Sequence, residues 1–329
     1  MSNISKLLSK NKLYEPIIRY SGIVAEMHNV NVYLVGGFIR DILLDKKLID
    51  IDLMVEGNAE KFAYKLSEKL KINKVIEFEK FHTYRIPCPD FEIDIAEARK
   101  ETYESNSRKP NEVKSASITE DLGRRDFTVN AIALSINKAN FGEIIDPYKG
   151  IHDLNKGVLR TPKDPDITFS DDPLRMLRAI RFAAQLDFKI QKNILDSIIK
   201  KAERLKIVSS ERITAELIKL LKTPKPSIGF YLLKETKLLP YVFPELDIMS
   251  GIDVVNGKSH KDVFIHTLEV VDNAAELTDK MEIRFAALVH DIAKPQTKKF
   301  YKDKGWTFHG HEEIGRRMLK DVAKRMKIS

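Results

Sequence analysis

A single cysteine, Cys88, stands in 329 residues, so no disulfide can close within the chain and a reducing, cytoplasmic setting is expected. No apolar run is long enough for a membrane-spanning helix, and the opening segment MSNISKLLSKNKLYEPI is amphipathic, with lysines in place of the apolar stretch of a secretion signal. No internal repeat or low-complexity tract appears, which sets aside a solenoid. What is present is ordinary for a globular protein: 43% hydrophobic and 32% charged residues, in a chain long enough for two or three domains. The net charge of +8, with an isoelectric point near 9.2, suits a polyanionic partner such as a nucleic acid, although many cytosolic enzymes carry a similar balance.

The most informative stretch reads YLVGGFIRDILL and then IDIDLMV. Ile49-Asp50-Ile51-Asp52-Leu53 alternates apolar and acidic residues, so in a strand the carboxylates of Asp50 and Asp52 share one face while the isoleucines bury on the other. Paired carboxylates are hard oxygen ligands that favour Mg²⁺ or Mn²⁺. The adjacent Gly36-Gly37 turn lets backbone approach a triphosphate, and together these are the equipment of two-metal phosphoryl transfer. A solvated edge strand beside a tight turn is the plainer reading of the same residues.

The spacing predicts one or two short helices over residues 1–28. Strands follow at Val32 to Val35 and Ile49 to Val55, and the helix between them carries Arg40 and Asp41. A helix over Ala59 to Leu70 leads to strands near Val75 to Phe78, Thr83 to Ile86 and Phe91 to Ala96. The polar stretch Arg99 to Ser117 has no periodicity and reads as a flexible loop. From Asp172 onward helical signals take over, and Gly251 to Ser259 reads as a linker. The expected fold class is α+β: a head on a mixed or antiparallel sheet over 29–162, a helical neck over 163–225, a helical body and linker over 226–259, and a last helical unit over 260–329.

DLGRRDFTVNA, residues 121 to 131, offers Arg124 or Arg125 as a bidentate grip on phosphate, with Asp126 fixing a sugar or a partner arginine and Phe127 to Ala131 opening a helix. A solvated charge cluster at a helix start is the rival reading. In TFSDDPLRMLRAIRFAAQL, Asp171 and Asp172 are expected at a helix start with Pro173 in the first turn, followed by Arg175, Arg178 and Arg181. Asp172 and Arg175, three apart, would share a helix face and could read a base edge with donors and acceptors, where a bland salt bridge is the alternative. Glu211, Arg212 and Glu216 fall on a helix capped by Ser209 or Ser210 and read as a structural brace. Lys200, Lys201, Arg204 and Lys206 are candidates for RNA phosphate contacts, or else a solvated face.

Taken in order, these segments resemble the class II tRNA nucleotidyltransferases, the CCA-adding enzymes and their poly(A) polymerase relatives, within the polymerase β-like nucleotidyltransferase superfamily. The family's GGxVRD and DxD correspond to Gly36 to Asp41, with Ile39 a mild substitution, and to Asp50-Ile51-Asp52; its RRDFTxNA corresponds to Arg124 to Ala131. Its amino-acid template, usually Glu-Asp-x-x-Arg, appears as Asp171 to Arg175, and its ERxxxE as Glu211, Arg212 and Glu216. The resemblance implies that Asp50 and Asp52 hold catalytic Mg²⁺ or Mn²⁺. It implies that Gly36, Gly37, Arg40, Asp41, Arg124, Arg125, Asp126, Asn130, Asp172, Arg175 and Arg178 bind the nucleotide, with CTP and ATP as substrates and tRNA as acceptor. A third carboxylate is common in such palms, and Asp94, beside Glu92 on its strand, is the candidate. Head and neck would then form a cleft, with the two aspartates on one wall and Asp172 and Arg175 on the other. Addition of CCA, of CC only, of A only, or of a poly(A) tail all fit these motifs.

Five of the eight histidines follow residue 259: His260, His266, His290, His309 and His311. The His290-Asp291 pair with dispersed histidines resembles the HD phosphohydrolases, implying a divalent transition-metal site of His266, His290, Asp291 and His311. The last aspartate of that pattern has no counterpart after Asp321, so a partial site in a truncated domain is expected. A reading of a different class is an HD-type metal phosphohydrolase whose amino-terminal half only binds nucleotide or RNA.

Overall fold

The computed structural model describes residues 14–46, 50–78, 82–103 and 110–328. The expected helical segment before Tyr14 lies outside them. Two compact bodies divide the chain, one through Asp164 and one from Pro165.

The first body is a mixed sheet covered by helices. Helix α1 (Glu15–His28) begins with Pro16 in its first turn and ends at Asn29 in the left-handed region. Strand β1 (Asn31–Val35) is buried on both faces after its first residue, as a central strand should be. It runs straight into α2 (Gly36–Leu43), and β2 (Ile51–Glu56) follows. Helix α3 (Ala59–Leu70) is capped by Asn58, whose side chain accepts from the Lys61 amide at 2.7 Å, and it buries Phe62, Ala63 and Leu66. Strands β3 (Ile76–Phe78), β4 (Thr83–Pro87) and β5 (Glu92–Glu97) come next, with β8 (Ala133–Ser135) and β9 (Ile144–Ile145) after the second motif cluster. The order across the sheet is β3-β4-β5-β2-β1-β8-β9, and β2 with β5 is its parallel pair.

Two expectations are corrected here. The stretch from Arg99 to Ser117 is not an aperiodic loop. It holds two antiparallel strands, β6 (Arg99–Tyr103) and β7 (Pro110–Ser115), with 104–109 outside the described residues. Such a polar ribbon lacks the apolar alternation that reveals a half-buried strand. The capping box between Ser117 and Glu120 then opens the short helix α4 (Ile118–Gly123). Phe127 to Ala131 does not open a helix: Thr128–Asn130 is a single tight turn, and it leads into β8.

The second body is mostly helical: α6 (Pro165–Asp171), α7 (Leu174–Leu186), α8 (Lys192–Lys201), α9 (Ser210–Leu221), α10 (Pro226–Glu235), α13 (Val263–Leu277), α14 (Met281–Val289) and α16 (His311–Met326), after α5 (Gly150–Lys156) of the first body and with α11 (Leu239–Val242), α12 (Pro244–Asp247) and α15 (Lys294–Thr297) as single turns. The helical reading needs one amendment, because two hairpins interrupt it. Val254–Val255 pairs with Lys258–Ser259 across an Asn256-Gly257 turn, both residues at positive φ, and Lys299–Tyr301 pairs with Gly305–Thr307. The first occupies the segment read as a linker; its Asn-Gly dipeptide is the sequence signal of a tight hairpin.

A buried guanidinium holds the helices of this body together. Arg284 is 3% exposed and donates to Leu221 O at 2.8 Å and Thr223 O at 3.2 Å beyond the end of α9, and to Ala275 O at 3.0 Å and Thr278 O at 2.7 Å at the end of α13. It thus satisfies carbonyls that helix ends leave unpaired, at the negative ends of two helix dipoles. Arg284→Met is expected to cost about 3 kcal/mol, since several buried acceptors lose their donors, and Arg284→Lys recovers little because an ammonium lacks the planar fork. Urea unfolding of the two variants checks this; a loss under about 1 kcal/mol would refute it.

Candidate active site

The parallel register of β2 with β5 sets Asp52 directly beside Asp94, and β4 sets Arg85 directly across from Asp94, so three charged side chains form a row on one face. Arg85 grips Asp94 with two hydrogen bonds, Nε to Oδ1 at 2.7 Å and Nη2 to Oδ2 at 2.9 Å, and its Nη1 lies 2.5 Å from Glu92 Oε2. Asp50 precedes β2 and accepts from the Glu92 amide at 3.1 Å. Asp52 makes no hydrogen bond or close ion pair among the described residues. Burial pushes its pKa up to about 6; Asp94 and Asp50 push the same way, against Arg125 and Arg40. A buried carboxylate flanked by like charges, with its oxygens uncommitted, is suited to a divalent cation. Asp50 and Asp52 therefore fit the metal that the sequence implies, whereas both oxygens of Asp94 are already held by Arg85.

The side of the row next to Gly36 is built by α2. Gly36 has φ of +68°, and a β-carbon there would stand 3.0 Å from Arg125 Nη1 and 3.2 Å from Asp52 Oδ2. Glycine is required for both reasons. Arg40, 5% exposed, is clamped by Asp41 at 2.8 and 2.9 Å and donates to Asn130 Oδ1 at 2.8 Å; Asn130 in turn donates to Asp126 Oδ1 at 3.1 Å. Asp126 also accepts from the Phe127 amide at 2.8 Å, so it orders the tight turn as well as its neighbour.

Asp121 was missed in the sequence. It is fully buried, and its two oxygens take Arg124, at 2.9 and 2.6 Å, and Arg125, at 3.3 and 3.2 Å. Its spacing of three and four from the two arginines on a helix was the available signal. Arg85 was missed too, because its alignment with Asp94 depends on strand register.

In the second body, Asp172 stands at a helix start as expected, whereas Asp171 does not. Asp171 is the last residue of α6, Asp172 lies in the break, and α7 begins after Pro173. Asp172 caps the first turn of α7, in which Arg175 lies three residues on. The side chain of Asp172 accepts from Arg212 at 2.7 and 3.4 Å and from the Leu174 amide at 3.1 Å, while the Arg175 amide donates to its carbonyl at 3.0 Å. Glu216 on α9 accepts from Arg181 at 2.7 Å, both nearly buried; burial alone would raise its pKa, yet Arg181 and Arg178 outweigh it and bring it below the usual value. Arg178 also lies over the Phe182 ring at 5.4 Å. Glu211 is exposed, and Ser209 occupies the cap position of α9 without a side-chain cap bond. Of the basic residues, Lys200 bonds Asp166, Lys201 reaches Ser170 Oγ at 3.0 Å, Arg204 donates to Ser170 O at 2.9 Å and Lys206 pairs with Glu203 at 2.7 Å. They bind back onto the chain, chiefly onto α6, and are not bare cations.

The histidines converge. His290 Nε2 lies 3.1 Å, His266 Nε2 3.9 Å and His311 Nε2 3.6 Å from the carboxylate of Asp291, which is 2% exposed. One ligand atom each from His266, His290 and Asp291 falls within 4.8 Å of the others. Asp291 Oδ2 also has Lys294 Nζ at 2.7 Å, but none of these neighbours is aligned as a hydrogen-bond donor to it. Burial would raise the pKa of Asp291; the adjacent His290 and Lys294 outweigh that and hold it at about 2. An ionised, buried oxygen without an aligned donor, facing imidazoles, fits a transition-metal cation. His260 stands apart from this cluster, and His309 lies exposed.

A mixed sheet that presents aligned carboxylates behind a diglycine helix defines a nucleotidyltransferase head. Residues 32–160 match the family described as the poly A polymerase head domain, 187–249 the probable RNA and SrmB-binding site of polymerase A, and 263–329 the HD domain. The Multifunctional CCA protein of Psychromonas ingrahamii is 35% identical over 308 residues, 91% of this chain and 71% of its own length, and that of Shewanella frigidimarina is 34% identical over 310 residues. A CCA-adding enzyme solved in an apo form matches with a TM-score of 0.73 at 30% identity, over 99% of this chain and 71% of that one. A tRNA nucleotidyltransferase solved with a primer tRNA and an ATP analogue matches with a TM-score of 0.67 at 27% identity, over 94% and 80%. The chain belongs to the tRNA nucleotidyltransferase family of CCA-adding enzymes.

Gly36→Ala is expected to cost about 1 kcal/mol in stability from the left-handed backbone, and to slow nucleotide incorporation by about tenfold or more by displacing Arg125 or Asp52. Single-turnover rates beside a thermal melt check this; unchanged incorporation would show that the close approach is immaterial.

Proposed function

We propose that this chain completes tRNA 3′ ends by template-independent addition of C, C and A from CTP and ATP. The observation that carries the reading is the alignment of Asp52 with Asp94 and Asp50 behind Gly36. Relatives solved with ATP and with CTP support the nucleotide choice, and the one solved with a primer tRNA supports the acceptor. Asp50 and Asp52 would hold divalent cations of the Mg²⁺ type. Bound there, these would supply Lewis acidity for attack by the 3′-hydroxyl on the α-phosphate and neutralise the departing pyrophosphate. Asp94, held on Arg85, keeps negative charge beside Asp52 and fixes its position. Arg125, fixed on Asp121, offers positive charge next to Gly36, and the Arg40-Asn130-Asp126 chain orders the turn behind it. Asp172 and Arg175 present acceptor and donor groups to the base, with Arg212 holding the carboxylate of Asp172.

Incubation with a tRNA lacking its last three nucleotides, CTP, ATP and Mg²⁺, followed by sequencing of the products, is expected to show C, C and A in order. Asp52→Asn should lower incorporation by at least about a thousandfold with its melting temperature unchanged or raised, since a buried charge is removed. Addition of C alone, A alone or a long A tail would name another member of the same class. Retained incorporation by Asp52→Asn would overturn the assignment.

The histidine cluster supports a second reading, an HD-type phosphohydrolase activity in the same chain, with His266, His290, Asp291 and His311 holding a transition metal. Lys294 Nζ already neutralises Asp291, so a cation must displace it. Lys294→Ala is expected to tighten Mn²⁺ or Ni²⁺ binding about tenfold by calorimetry. Weaker binding by that variant would show that the lysine is not a competitor.

A further inference from the structure

The hairpin of β4 and β5 sets an arginine on the face of the sheet that carries Asp52 and Asp94. Its register is fixed. Ile86 pairs with Ile93, both fully buried, and Pro87 and Pro89 stiffen the turn, in which the Cys88 amide donates to Phe91 O at 3.0 Å. A slip of one residue would carry the isoleucines to the outer face and Arg85 into the core, so Arg85 and Asp94 stay opposite each other.

The guanidinium is engaged on every side. Nε and Nη2 take the two oxygens of Asp94 at 2.7 and 2.9 Å, Nη1 lies 2.5 Å from Glu92 Oε2, and the Phe78 ring of edge strand β3 stands 5.7 Å away. A two-pronged grip of this kind occupies the syn lone pairs of both carboxylate oxygens, which a chelating cation would use, and it neutralises the charge at contact distance. Asp52 is the neighbour of Asp94 in the parallel register, and its oxygens carry no hydrogen bond among the described residues. Two acids thus stand side by side, and only one is open to a cation.

This asymmetry sets how many carboxylates a cation in the head can meet. A third would bind it tightly in the free chain, whereas a pair leaves positions for water and for the phosphates of an incoming nucleotide, as Mg²⁺ usually requires. We propose that Arg85 is a positioning residue of nucleotidyl transfer: it withholds Asp94 from the cation held by Asp50 and Asp52, so that the nucleotide's phosphates complete the coordination in place of a third carboxylate. The inference rests on the reading of Asp50 and Asp52 as the ligands. A merely structural Arg85 implies the opposite effect, because its loss would let β5 shift and would weaken the cation site.

Mn²⁺ serves as the probe, in the full chain without nucleotide and with Asp291→Asn throughout to silence the histidine cluster. Calorimetry gives its Kd, and water-proton relaxation counts the waters on the bound ion. Arg85→Gln is expected to bind Mn²⁺ about tenfold more tightly with about one water fewer, and adding Asp94→Asn to it should restore the water count. Arg85→Lys, which keeps the charge but gives up the two-pronged grip, is expected to lose a water as well, so the result does not hang on a variant with unpaired acids. Unchanged or weaker binding by Arg85→Gln, or the parent's water count in both Arg85 variants, would overturn the proposal. Asp52→Asn in the same background tests the underlying reading. Mn²⁺ binding that persists there would overturn the metal assignment and this proposal with it; binding lost there, with a water count indifferent to Arg85, would overturn the role of Arg85 alone.

Discussion

Repulsion among carboxylates is the constraint around which the head is arranged. The parallel pairing of β2 with β5 puts Asp52 and Asp94 side by side, with Asp50 and Glu92 one step back along the same strands. Such a row destabilises itself unless cations answer it. The protein answers asymmetrically. Arg85 neutralises the β5 side with a bidentate grip, and the β2 side is left partly answered, by Arg125 and Arg40 at a distance. Burial is the first cause of the raised pKa of Asp52, with Asp94 and Asp50 adding to it, and a bound divalent cation would offset both.

The arginines nearest the row are themselves fixed by acids. Asp121 takes Arg124 and Arg125, one on each oxygen, and Asp41 with Asn130 takes Arg40. A long side chain held this way loses its rotamer freedom during folding and not at the moment of binding, which is the physical content of preorganisation. The second body repeats the device with Asp172 on Arg212 and Glu216 on Arg181. Arg212 thus links the brace helix α9 to the break between α6 and α7, and the two motifs read separately in the sequence become one unit.

How much of this was legible in the sequence follows from the range of each interaction. The helix over Ala59 to Leu70 and the strands β1 to β5 declare themselves by local period and caps, and the observed elements lie within a residue or two of the expected ones, whereas the short strands β8 and β9 were not expected. The DxD pair was readable because its residues are two apart on one strand. What was not readable depends on register or on partners far away in sequence. Arg85 meets Asp94 through strand pairing, and Arg212 reaches Asp172 from another helix. The polar β6-β7 ribbon and the 254–259 hairpin lack the apolar alternation that imprints a strand pattern, though Asn256-Gly257 was a local signal for the second. Asp172 was expected at a helix start because Pro173 suits a first turn; it caps α7 there, and what could not be read is that its carboxylate also takes Arg212.

The two candidate metal sites differ in kind, and the difference bears on how each would respond to a cation. The head presents oxygen donors alone, in mutual repulsion, so cation binding relieves a strain already present and hard ions are favoured. The histidine cluster presents imidazoles around one carboxylate that Lys294 already neutralises, at a pKa near 2. A cation entering there gains less from charge and more from nitrogen ligation, and it releases an ammonium group into a cavity lined by further lysines. Once displaced, Lys294 adds to the positive charge of that cavity.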